Sequence, residues 1–179
     1  MFDKFYRYCG LRFARFQFRS TPARPVTMTS FLRNAHQILI ALPSGYEDAN
    51  VASLALKQLR THFDGARLTI IHTGTRGTSL TGMVRCEVVR IDPSDINRFY
   101  LPRRSLLERI GSRSYDVAID LNLDFVLHTA YICRAVCGGV RVGFLHPASE
   151  PFFNVQVQTD DRAPAQIKYD RLITTLAMF

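Results

Sequence analysis

Two hydrophobic rhythms divide this chain. Over its first residues Phe2, Phe5, Tyr6, Cys9, Phe13 and Phe16 recur at spacings of three and four, with arginines mostly between them, as in an amphipathic helix. From His36 onward short continuous apolar runs alternate with amphipathic stretches. Ile38-Leu39-Ile40-Ala41-Leu42 is unbroken and closed by Pro43-Ser44-Gly45, which predicts a first strand buried on both faces. A helix follows from Ala49 to His62, with Val51, Leu54, Ala55 and Leu59 on one side and Lys57 and Arg60 off it. Arg67 to His72 and Cys86 to Ile91 predict strands, separated by a Gly/Thr/Ser-rich loop over 73–82. Asn97 to Ile110 reads as a basic helix in which Pro102 marks a break or the start of the main part. Asp116 to Leu121 is the clearest strand. Phe125 to Cys137 is a largely apolar helix stopped by Gly138-Gly139, Val140 to Phe144 a strand, Phe152 to Val157 an extended segment and Ala165 to Met178 a terminal helix.

Strands alternating with helices at this spacing argue for right-handed crossovers and a mainly parallel sheet. The expected fold class is a Rossmann-like three-layer α/β/α unit, preceded by a basic aromatic N-terminal arm. Thr21-Pro22-Ala23-Arg24-Pro25 breaks the first helix, so residues 1–33 are read as arm and linker and residues 34–179 as the domain. A length of 179 residues with 47% hydrophobic content supports one core of ordinary size. In such a sheet the ligand crevice lies beyond the carboxyl ends of the strands, so the loops after the first and fourth strands carry the functional weight.

Charge sharpens the division. The chain carries +8, yet residues 1–33 hold seven basic side chains against Asp3 alone, which leaves the rest close to neutral at about +2. The arm therefore has three readings: a helix lying on an anionic membrane surface, a helix packing its aromatics on the domain or a second subunit, and an Arg-rich transit peptide. A nucleic-acid partner is not expected, because the basicity belongs to an arm and no reading module accompanies it. No apolar run reaches the roughly 20 residues that cross a bilayer, and the arginines leave no continuous apolar signal core. Cys9, Cys86, Cys133 and Cys137 form no paired spacing and are expected as reduced, mostly buried thiols of a cytosolic protein. The five histidines have no ligand spacing, so no metal is expected. The dinucleotide fingerprint, the phosphate-binding Walker loop and the G-x-S-x-G elbow are all absent, and no cofactor is expected.

What the first loop offers is Glu47-Asp48, and here the sequence resembles a known family. Ile38 through Asp48, followed by Leu54-Ala55-Leu56-Lys57-Gln58-Leu59-Arg60 and Phe63-Asp64-Gly65-Ala66-Arg67, is similar to the opening block of family 9, heptosyltransferase-like glycosyltransferases. Tyr115-Asp116-Val117-Ala118-Ile119-Asp120-Leu121 and Val140-Arg141-Val142-Gly143-Phe144 resemble two further strands of that family. The similarity spans roughly residues 36 to 178 and corresponds to the N-terminal, acceptor-side domain alone.

The resemblance implies a glycosyl transfer in lipopolysaccharide or other cell-envelope glycan synthesis, at the inner face of the cytoplasmic membrane. An inverting transfer needs a carboxylate to take the proton from the attacking acceptor hydroxyl, and cations or dipoles to hold the leaving diphosphate. Asp48 matches the family's proposed base, although Glu47 stands where the family has glycine; as an N-cap alone Asp48 is worth about 1 kcal/mol. Ser44, Gly45, Glu47, Arg76, Asp120, Arg103 and Arg104 are the candidate substrate-binding residues. Asp120 also reads as a loop anchor, and Arg103 and Arg104, with Arg98, Arg109 and Arg113, as a solvated helix face. The implied partners are a glycolipid or phosphorylated sugar acceptor, and a nucleotide-sugar donor only with a second domain or partner. The alternative is an inactive half-enzyme that serves as a binding module.

Overall fold

The strands that the apolar runs predict all form, and they assemble into one sheet. The computed structural model describes residues 2–19, 32, 34–43, 46–74 and 86–178, without the side chains of 46–50. In it β1 (Gln37–Ala41), β2 (Arg67–Thr73), β3 (Cys86–Ile91), β4 (Tyr115–Asp120), β5 (Cys137–Phe144) and β6 (Val155–Val157) are all parallel, in the order β3-β2-β1-β4-β5-β6. This is the doubly wound Rossmann order, and it places β1 and β4 side by side at the point where the winding reverses.

The continuous apolar runs are explained by burial on both faces. Ile38 and Ile40 of β1 face one core, shared with Leu68, Ile70, Val117, Ile119, Val140 and Val142 and covered by α2 (Tyr46–His62) and α5 (Ala165–Ala177) through Leu56, Leu59, Tyr169, Leu172 and Leu176. Leu39 and Ala41 face the other, with Ile71, Ile91 and Ala118, covered by α1 (Phe2–Arg19), α3 (Arg104–Ile110) and α4 (Leu127–Val136). Helices thus lie on both sides of the sheet.

Three details depart from the sequence reading. Leu54, expected on the packed side of α2, is half exposed, and the buried row is Ala52, Ala55, Leu56 and Leu59. The basic helix is shorter than 97–110 and begins after Pro102, because residues 92–103 are tied into a loop: Asn97 Oδ1 accepts from the amides of Phe99 at 2.8 Å and Leu101 at 3.2 Å, and Ile96 bridges Pro102. Gly138-Gly139 does not lie between helix and strand but inside β5, which starts at Cys137. That early start is braced by Arg141, a buried arginine donating to the carbonyls of Phe152, Cys137 and Gly139 at 2.9, 3.1 and 3.2 Å. Burying a guanidinium is costly unless its donors are used; here carbonyls take them.

The arm helix α1 lies against the domain. Gly10 and Ala14 are its buried residues, Phe18 packs on Tyr131 and Phe152, and the Tyr131 hydroxyl donates to Gln17 Oε1 at 2.8 Å. Gly10 is required by the approach: a Cβ there would meet the Phe99 carbonyl oxygen at 2.0 Å. Among the described residues no helix is long and apolar enough to cross a membrane, and no group of three His, Cys, Asp or Glu side chains is placed to hold a metal.

Candidate functional site

The carboxyl edge of the sheet carries two polar clusters of opposite character. The first sits where β4 ends. Asp120 is buried, and its carboxylate accepts from the Asn122 amide at 3.0 Å, the Asn122 side chain at 2.6 Å and the Thr129 hydroxyl at 2.8 Å. Burial dominates over these bonds and pushes its carboxyl up to about 6. The network ties the turn after β4 to the first turns of α4. Asp120 thus acts as the loop anchor, with every contact internal.

The second cluster borders an open cleft of about 630 Å³ at the carboxyl ends of β2 and β3. Thr73 and Gly74 come from the end of β2, Arg90 and Ile91 from the end of β3, Asn97, Arg98 and Tyr100 from the tied loop, His128 from α4, and Asp3 and Tyr6 from α1. Arg98 is held by rings, its guanidinium carbon 5.0 Å from the Phe99 centroid and 5.8 Å from that of Tyr6. It makes no direct ion pair among the described residues, although Asp3 and Asp92 line the same cleft. Arg90 is paired with Asp92 at 3.0 Å. Tyr100 stands in the left-handed backbone region at φ 62° and donates its hydroxyl to Asp3. A non-glycine residue in that region costs of order 1 kcal/mol and persists because its surroundings hold it there. His128 is pushed down to about 4, first by burial and then by the Arg7 charge, which keeps its ring neutral near pH 7. Arg7 itself donates to the Phe125 carbonyl at 2.6 Å.

The candidates from sequence fall into three groups. Ser44, Gly45 and Arg76 lie outside the described residues, as do the side chains of Glu47 and Asp48. The backbone of Asp48 is the third residue of α2, one turn after the central strand β1, so the helix starts earlier than expected and position 48 lies within its first turn. Arg103 and Arg104 lie at the start of α3, outside the cleft lining; Arg104 pairs with Glu108 at 2.7 Å on a largely exposed surface. Arg109 is tied to Asp95 at 2.9 Å and Arg113 to Glu87. Of the basic set only Arg98 lines the cleft. Arg90, Tyr100 and His128 are not among the sequence candidates, and Tyr6 enters there only as one of the arm's aromatics. Arg90 alone carried a local signal, as a cation at the end of a strand facing the crevice.

No protein-family model matches the chain, and no curated protein does. Solved structures do. The heptosyltransferase WaaC of E. coli with ADP aligns at a TM-score of 0.60 and 17% identity, covering 78% of this chain and 46% of WaaC. The same enzyme with ADP-2-deoxy-2-fluoro heptose aligns at 0.61 and 16%, covering 80% and 49%. The family 9 glycosyl transferase of Veillonella parvula DSM 2008 aligns at 0.62 and 16%, covering 80% and 42%. The chain spans about half the length of these proteins or less, and what it shares with them over about four-fifths of its own residues is the fold: it is a Rossmann-like α/β unit of the kind found in family 9 glycosyltransferases.

Proposed function

We propose that this chain is the acceptor-side half of a family 9-type glycosyltransferase, and that the cleft between α1 and the 92–103 loop receives the phosphorylated head of a glycolipid precursor. The observation that carries the proposal is Arg98: a guanidinium with no direct ion pair among the described residues, braced by two rings, on the open carboxyl edge of a fold shared with heptosyltransferases. A guanidinium offers the planar fork that suits phosphate, and its bracing lowers the entropy lost when it engages one. Asp48, at the start of the helix after β1, is the proposed base that takes the acceptor hydroxyl's proton. Lipopolysaccharide or another cell-envelope glycan is the product class this reading implies, made at the cytoplasmic membrane face.

A nucleotide-sugar donor is engaged, on this reading, only together with a second domain or partner. Donor sites lie in clefts that bury most of the ligand, and half a cleft leaves the diphosphate in water without its clamps. A second reading, a half-enzyme retained as a binding module, is favoured by Glu47, which puts bulk and charge where the family has glycine.

The test is a pair of titrations of the purified chain. A phosphorylated sugar acceptor is expected to bind saturably, while a nucleotide sugar binds weakly and turns over undetectably. Robust nucleoside diphosphate release, abolished in Asp48→Asn, would refute the half-site account and make this chain a complete enzyme. Absence of acceptor binding would remove the acceptor-side reading.

A further inference from the structure

Docking of α1 on the domain leaves a second face of the same helix unused. At about 3.6 residues per turn, three rows run along it. Asp3, Tyr6, Gly10, Ala14 and Gln17 form the row turned to the domain, where Gly10 and Ala14 are buried and Tyr6 meets Phe99. Phe2, Phe5, Cys9, Phe13 and Phe16 form the next row, and its four phenylalanines stand in solvent: Phe2 is 77% and Phe16 76% exposed, Phe5 60% and Phe13 55%. Lys4, Arg12, Arg15 and Arg19 form the third row, beyond the aromatic one, and all four are exposed, although Arg15 also reaches the domain and donates to the Pro147 carbonyl at 3.2 Å.

The sequence reading set membrane contact and packing on the domain against each other. In the structure the row that packs on the domain and the exposed phenylalanine row are different. The domain is gripped by the small-residue row, so the aromatic row is not needed to hold α1 in place.

We infer that the exposed phenylalanine row of α1, with its flanking cationic row, is a docking surface for an anionic lipid bilayer. Four phenylalanines in solvent are more apolar surface than an isolated helix face ordinarily shows. The charge beside them selects the occupant. Lys4, Arg12 and Arg19 have no ion-pair partner among the described residues, and Asp3, the helix's one acid, accepts from Tyr100 on the domain side. An aromatic face edged by basic residues and lying parallel to a surface is the arrangement by which interfacial helices sink rings to the acyl boundary while cations meet anionic headgroups. A second copy of this chain would bring two cationic rows together, which opposes pairing through this face.

Resting on the acceptor reading above, docking has a geometric consequence. Asp3 and Tyr6, on the row next to the phenylalanines, line the cleft. A bilayer seated on the ridge therefore lies beside the cleft mouth, where the head of a membrane-held acceptor would emerge.

The experiment uses the full chain and vesicles that contain no glycan, so its outcome is independent of acceptor recognition. Co-sedimentation is measured with phosphatidylcholine vesicles, with and without phosphatidylglycerol, at low and high salt. The chain is expected to pellet with the anionic vesicles at low salt, to be released as salt screens the charges, and to stay in solution with neutral ones. Phe2→Ser with Phe13→Ser and Phe16→Ser, and separately Arg12→Gln with Arg19→Gln, are each expected to lower partitioning at least about tenfold with an unchanged melting temperature. Failure to pellet at low salt, or equal pelleting of the variants, overturns the inference. So does a concentration-dependent dimer that the phenylalanine substitutions dissolve, since the ridge would then belong to a second copy.

Discussion

Asp120 and Arg98 sit at the same edge of the same sheet, both charged and both held by several partners, yet they do opposite things. The Asp120 carboxylate is enclosed, and every bond it accepts comes from its own loop and helix. The exposed Arg98 guanidinium lies against two rings and makes no ion pair among the described residues. Hydrogen-bonding capacity left over after folding, rather than the density of polar groups, marks a binding site.

The largest effect that separates the two regions is in the pH dependence of stability. Asp120 is raised to about 6 in the folded state against a usual carboxylate near 4. The folded protein therefore holds that proton longer than the unfolded chain, and stability falls as pH rises from about 4 to about 6, by roughly 3 kcal/mol at about 1.4 kcal/mol per unit. His128, on the cleft side, is lowered to about 4, so its contribution is present above its unfolded value of about 6.5 and is lost as pH falls towards 4, by a comparable amount. Denaturant titrations across this window check both signs. Asp120→Asn is expected to leave a curve that rises with pH, and His128→Gln one that falls. Identical curves for the two variants would erase the distinction.

Next in size is the cost of opening the closed cluster. Near pH 4, where the carboxyl is protonated in the folded state, Asp120→Ala removes the partner of Asn122 and Thr129 and is expected to destabilise the fold by about 2 kcal/mol. Asp120→Asn keeps an acceptor for Asn122 and is expected to lie within about 1 kcal/mol of the parent at that pH, and above the parent at neutral pH, where the buried carboxylate is ionised. Thermal or chemical denaturation of the pair measures the difference, and binding of a sugar phosphate should be the same in both.

Arg98→Ala should invert that pattern. On the proposed acceptor reading its loss is expected to weaken sugar-phosphate binding by about 2 kcal/mol, the range of a charge-assisted bond, while stability changes by under about 1 kcal/mol. Arg104→Ala is the smallest change. An exposed i,i+4 pair with Glu108 contributes about 0.3–0.5 kcal/mol, and binding should not move, because Arg104 lies outside the cleft lining.

The contrast between these arginines also shows what the sequence could and could not reveal. Strand positions were legible because burial on both faces leaves uninterrupted apolar runs such as Ile38 to Leu42, and the parallel order followed from their alternation with helices. Leu54 was misplaced because α2 covers the sheet with a row rich in alanine, and small residues weaken the apolar contrast that periodicity depends on. Among the arginines around 98–113, the sequence held nothing to say which would be spent on Asp95, Glu87 or Glu108 and which would face the crevice. That assignment depends on the knot of hydrogen bonds around Asn97, which ends the helical pattern before Pro102 and sets Arg98 against the Tyr6–Phe99 ring pair. One of those rings, Tyr6, comes from a helix some ninety residues earlier in the chain, a distance no local pattern reports.

Whether the cleft walled by α1 and the 92–103 loop is the acceptor site is decided by calorimetric titration of the purified chain with a phosphorylated sugar. Saturable binding is expected, weakened at least about tenfold in Arg98→Ala, with Asp120→Asn and Arg104→Ala indistinguishable from the parent. Binding that is absent in the parent, or that survives Arg98→Ala undiminished, would contradict the acceptor-site reading.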